Sequence, residues 1–148
     1  MTARRRLALA GLAALVAGSG VLHLLVPQPY ERIVPAPLLA WRSQLVAVSG
    51  GAEIVCAVLL VTPRTRRIGA YATALLFVVV FPANVQMALD GGVPGAGFPF
   101  NSGAVAWLRL PLQVPLIGWA LAFRGRRSVA TPKRQRVSAS LSRPGRRS

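Results

Sequence analysis

Residues 38–67 read LLAWRSQLVAVSGGAEIVCAVLLVTPRTRR, and this stretch decides the fold. From 38 to 61 it is apolar with few polar interruptions. A bilayer core of about 30 Å is crossed by roughly 20 such residues at about 1.5 Å each. Hydrocarbon offers no water to the peptide groups, so a run of this length must bond its own backbone as an α-helix. Arg64, Arg66 and Arg67 follow at once, the sign of a span ending at a cytoplasmic surface.

Three more runs meet the same test: 7–26, 68–89 and 104–123. The chain therefore reads as an all-α integral membrane protein, a four-helix transmembrane bundle over 7–123. A basic segment, 1–6, precedes it. Segment 124–148 is rich in Lys and Arg, has no acid and holds few large apolar residues, and so reads as a disordered cytoplasmic tail. Of 148 residues 53% are hydrophobic, and 18 basic against 3 acidic residues give a formal net charge of +15. The charges avoid the long apolar runs, which excludes an ordinary soluble domain. The first run has a rival reading as a secretory signal peptide, with Arg4 to Arg6 as its basic start and Ala17-Gly18-Ser19 as a cleavage site. Its apolar stretch continues to Val26, longer than such a segment needs.

Orientation follows from the basic residues. Arg4 to Arg6, then Arg64, Arg66 and Arg67, then Arg124, Arg126 and Arg127 fall on one side if there are four crossings. The other side carries Glu31, Arg32 and Asp90, a nearly neutral balance. Both ends are therefore expected in the cytoplasm, and the localisation expected is the cell membrane, multi-pass. The loops 27–37 and 91–103 are rich in Pro and Gly, which argues against regular structure there. Tyr30, Phe98 and Phe100, with Trp41 and Trp107 nearby, form an interfacial aromatic belt or a lid over a cavity; the sequence does not separate the two. The basic tail is expected to meet anionic lipid rather than nucleic acid.

Function is sought among polar side chains within the runs, because each is costly in hydrocarbon without a partner. They are His23, Arg42, Glu53, Asn84, Gln86, Arg109 and Gln113. Residues three or four apart share a helix face, which groups Ser19 with His23, Ser49 with Glu53 and Cys56, and Arg109 with Gln113. His23, Glu53, Asn84, Arg109 and Gln113 thus define a polar layer in the outer half of the bundle and are the candidate ligand-binding residues. Pro82, Pro111 and Pro115 would free the carbonyls of Val78, Trp107 and Pro111, which this layer could satisfy. Depth makes Arg109 the expected ion-pair partner of Glu53, linking the second and fourth runs, and Asn84 a hydrogen-bond partner for His23. Cys56 is a lone cysteine in an apolar run and reads as a packing residue. One His and one Cys build neither a metal site nor a haem ligand pair.

An ordered series of these residues resembles the DoxX and DoxX-like family of small four-helix membrane proteins. It comprises His23, Pro27, Tyr30 and Pro35; Ser49-Gly50 with Glu53-Ile54; Pro63 and Arg66; Phe81-Pro82-Ala83-Asn84-Val85 with Met87-Ala88; and Trp107 with Arg109-Leu110-Pro111-Leu112-Gln113. The resemblance covers about residues 20–122. It implies a four-helix bundle and a place beside quinone-linked or thiol-linked oxidoreductases. The long basic tail is not part of the shared pattern.

Three functional expectations follow. The first is an accessory subunit that holds a quinone or another small polar ligand for an oxidoreductase partner. The second is a proton or small-solute carrier, working as a homo-oligomer, with Glu53 and His23 titrating. The third is an assembly factor with no ligand. No catalytic residue, covalently bound cofactor or metal is expected, and the sequence does not decide whether the chain is an enzyme.

Overall fold

The computed structural model describes residues 1–93 and 95–125. The elements are α1 (Ala3–Leu25), α2 (Gln28–Glu31), a 3-10 segment (Ala36–Trp41), α3 (Arg42–Val61), α4 (Arg66–Val79), α5 (Phe81–Leu89) and α6 (Gly103–Leu121). No strand occurs among the described residues. Ala3–Leu25, Ala36–Val61, Arg66–Leu89 and Gly103–Leu121 form four helical stretches long and apolar enough to cross a membrane. Each keeps an exposed apolar face, with Leu15, Val48, Leu75 and Val114 among the side chains left uncovered. In water such faces would cost roughly 25 cal/mol per Å² of apolar surface. The basic tail and its expected disorder lie outside the described residues.

Helix α1 packs on α3, α3 on α4, and α4 and α5 on α6. The α1–α3 contact is closest at two glycines. A Cβ on Gly20 would lie 2.6 Å from the Gly50 carbonyl oxygen, and a Cβ on Gly50 would lie 2.8 Å from the His23 Cβ. Glycine at both positions lets the backbones approach as small residues do between packed membrane helices. α1 runs unbroken through Ala17, Gly18 and Ser19.

The α3–α4 connection is short because side chains cap it. Thr65 Oγ1 donates to the Leu59 carbonyl at 3.1 Å, while Arg66 donates from Nε to Leu60 at 2.9 Å and from Nη2 to Val61 at 3.1 Å. These bonds satisfy carbonyls that the end of α3 would otherwise leave open. Arg5 does the same for α6, donating to the Ala122 carbonyl at 2.9 Å. Arg5, Arg64, Arg66, Arg67 and Arg124 thus gather at one end of the bundle, the arginine end. The loops 26–35 and 90–102 cover the other, the loop end.

Two expectations need correction. The loops are not free of regular structure: α2 and the 3-10 segment both start beside prolines, which the first turn of a helix tolerates. The third run is two helices, broken at Val80, two residues before Pro82. Pro111 and Pro115, by contrast, sit inside an α6 that continues through both.

Candidate functional site

Two apolar clusters form the core. One contains Leu12, Val16, Cys56, Leu60, Ala70 and Ala120; the other, at the loop end, contains Ile33, Met87, Ala88, Val93 and Ala106. The polar residues fall between them. Ser19 and His23 follow Val16 on α1, Glu53 precedes Cys56 on α3, and Arg109 and Gln113 separate Ala106 from Ala120 on α6. The layer inferred from the sequence is a band between two greasy caps.

The band has two halves. In the first, His23 Nδ1 lies 2.8 Å from the Ser19 carbonyl oxygen and 3.3 Å from Glu53 Oε2. A carbonyl only accepts, so Nδ1 carries a hydrogen and donates it along its own helix. Nε2 is then the nitrogen that keeps the lone pair in the neutral ring. The Glu53 oxygen is near the ring nitrogen without a well-aligned bond of its own, and is a buried polar atom with no hydrogen-bond partner. Both side chains are enclosed, 13% exposed for His23 and 9% for Glu53. In the second half, Asn84 Nδ2 donates to Gln113 Oε1 at 2.8 Å, and Gln113 Nε2 donates to the Phe77 carbonyl. That carbonyl lies just before the break at Val80. Gln113 is therefore a clamp across α4, α5 and α6, with both ends of its amide occupied.

Rings from the two loops connect the halves. Tyr30 stacks on His23 with centroids 3.7 Å apart, and its ring meets Phe100 edge to face at 5.5 Å. The Arg109 guanidinium lies over Phe100 at 5.3 Å, with Nη1 3.8 Å from the Met87 sulfur. A series His23, Tyr30, Phe100, Arg109 thus roofs the buried carboxyl. Burial pushes the Tyr30 phenol above its ordinary value, the Arg109 charge draws it down and the Glu53 charge adds to the rise. Both charges are felt at this one hydroxyl. The loops are held down as a lid by Ile33, Val34 and Val93, all buried, and by a Val93 N–H bond to the Phe100 carbonyl at 2.7 Å.

The expected Glu53–Arg109 ion pair is not formed. The Gly20–Gly50 contact brings α1 onto α3, so the carboxyl meets His23, while Arg109 faces a sulfur and an aromatic ring. Among the described residues Arg109 has no carboxylate at ion-pair distance. Nor do His23 and Asn84 bond to each other, since each is engaged within its own half. Val78 is not the carbonyl taken up by a side chain at the break; Phe77, one residue earlier, is. Arg42 sits exposed at the rim, 3.9 Å from Glu31, and Gln86 donates to Asp90 at 2.9 Å, so neither enters the band. Tyr30 and Phe100, which the sequence left between an interfacial belt and a lid, lie over the band as part of a folded lid. Phe98, 80% exposed, does remain outside. Buried, unbonded hydroxyls at Ser49 and Thr73 complete the band.

Four long apolar helices around a roofed polar band define a bundle of membrane-spanning dimensions with one candidate ligand layer at its loop end. The chain belongs to a family described as a domain of unknown function (DUF8561), whose model matches residues 12–124. Comparison with curated proteins and with solved structures found no match.

Proposed function

We propose that the chain is a multi-pass protein of the cell membrane with both ends cytoplasmic, and that its loop-end band holds a small flat polar ligand for an oxidoreductase partner. The ligand that best suits the residues is a quinone headgroup. The observation that carries this reading is the aromatic series over the buried carboxyl. Tyr30, on α2, stacks on the His23 imidazole and meets Phe100 edge to face, so its ring covers the flat face of His23 that a planar ligand would take.

The donors suit such a group as well. A quinone offers two carbonyl oxygens and planar faces. Arg109 supplies a guanidinium that no carboxylate neutralises among the described residues, and Asn84, on α5, is bonded to Gln113 one turn further along α6. Gln113, with both ends of its amide occupied, serves by fixing Asn84. Charged donors give the stronger hydrogen bonds to an acceptor oxygen, so Arg109 is the expected anchor. When bound, the quinone would supply reversible electron and proton uptake; the chain's part is to bind and orient it and to keep water away. The DoxX-like pattern of His23, Tyr30, Glu53, Asn84, Arg109 and Gln113 supports a partner of that class. The orientation is supported by the arginine end, where basic residues collect as they do on cytoplasmic faces.

Native mass spectrometry of the complex in mild detergent tests the proposal, because it reports partner and small molecule together. A co-purifying oxidoreductase or a bound quinone is expected, and finding neither contradicts the reading.

A second reading has its own observation. His23 and Glu53 form an enclosed pair that is neutral overall when it shares one added proton, the arrangement a proton carrier needs. Proton flux in proteoliposomes above that of empty vesicles, lost in Glu53→Gln, would favour it.

A further inference from the structure

A concavity lies at the opposite end from the band. It is a groove of about 980 Å³ between α1, the α3–α4 connection and the end of α6. Five arginines line it: Arg5 and Arg6 from α1, and Arg64, Arg66 and Arg67 from the connection. Its apolar wall is made by Leu9, Val61, Ile68 and Phe123. The chain's three acids are Glu31, Glu53 and Asp90, and all lie away from this groove. Among the described residues no carboxylate lines it.

The arginines divide by role. Arg66 and Arg5 spend donors on the carbonyls of Leu60, Val61 and Ala122, so they hold the fold. Arg6 and Arg64 have no internal hydrogen bond or carboxylate among the described residues, and Arg67 lies over the Tyr71 ring at 6.0 Å. Like charges collected without an anion repel one another, and the groove lowers that repulsion only by taking an anion from outside.

We propose that this groove is a binding site for an anionic phospholipid, with the phosphate held between Arg6 on α1 and Arg64 and Arg67 on the connection, and an acyl chain along Leu9, Val61 and Ile68. A guanidinium binds phosphate through paired hydrogen bonds, and basic pockets between helices on the cytoplasmic side suit lipid headgroups. An apolar wall beside the charges favours a lipid over a free phosphate ion. The inference rests on the membrane placement but not on the ligand layer at the loop end, and its test leaves that layer untouched.

The full chain, purified in neutral detergent, is offered phosphatidylglycerol and phosphatidylcholine at equal concentration, and the retained lipid is counted by native mass spectrometry. One phosphatidylglycerol should be retained in preference. Arg64→Gln with Arg67→Gln, both exposed positions, should weaken it by about fivefold for each charge removed, at an unchanged thermal midpoint. Arg6→Gln, on a different element, should weaken it too. Neutralising the tail in the full chain by changing Arg126, Arg127, Lys133, Arg134, Arg136, Arg143, Arg146 and Arg147 to Gln should leave this adduct in place. Equal retention of phosphatidylcholine would overturn the proposal. So would loss of the adduct on tail neutralisation while the groove variants keep it, or its displacement by inorganic phosphate at matched concentration.

Discussion

At Gly20 a methyl group would lie 2.6 Å from a backbone oxygen of α3, whereas at Gly18 it would meet nothing within 4 Å. Gly20→Ala is therefore expected to force the helices apart and to cost about 1 to 3 kcal/mol, as overpacking does. Gly18→Ala should be neutral or raise stability by up to about 1 kcal/mol, since glycine weakens a helix interior. Thermal midpoints of the two variants in one detergent check this. The same glycine contact decides which residue Glu53 meets. That a carboxyl inside an apolar run needs a partner was legible from residue type alone. The partner was not, because depth along a helix says nothing about which helix lies beside it. A mutant cycle separates the two pairings: His23→Phe with Glu53→Gln should show a coupling of about 0.5 to 3 kcal/mol, and Arg109→Gln with Glu53→Gln a smaller one. A larger coupling to Arg109 would restore the pairing that depth alone predicts.

Among the elements, run length and hydropathy located all four apolar stretches, because a span's length is set by the bilayer and not by neighbours. Proline was the weaker guide. In the loops it concealed α2 and the 3-10 segment, since its fixed φ and missing N–H suit a first turn. At Pro82 it marked a true break, and at Pro111 and Pro115 it marked none. At the break a side chain from another helix meets the open Phe77 carbonyl, which only the packed structure shows. Gln113 provides that service for Phe77 and, through its other end, anchors Asn84. Gln113→Leu keeps comparable bulk and removes both bonds, leaving a carbonyl and an amide unpaired in a buried site. A loss of about 1 to 3 kcal/mol for each group so stranded is expected, read as a fall in the thermal midpoint. An unchanged midpoint would show that the break at Val80 is satisfied some other way.

For the whole molecule, the arginine end and the loop end give the chain a direction. Reporters fused after Ser148 and within residues 64–67 should both read cytoplasmic, and one at Gly92 external; an external reading after Ser148 would refute the four-crossing topology. Charge makes the two ends chemically different, with the phosphate-seeking groove at one and the roofed polar band at the other. The existence of that band was legible in the sequence, through polar residues at compatible depths on four runs. Its roof was legible only as one of two readings of the loop aromatics, belt or lid, because Tyr30 and Phe100 come together only when two loops fold back over Ile33 and Val93. The most direct test of the ligand layer is a calorimetric titration of the purified full chain with a short-chain, water-soluble benzoquinone. Saturable binding at one site per chain is predicted, weakened by roughly tenfold or more in Arg109→Gln, since a hydrogen bond from a charged donor contributes about 1.5 to 3 kcal/mol. Binding that does not saturate, or that Arg109→Gln leaves unchanged, would contradict the account.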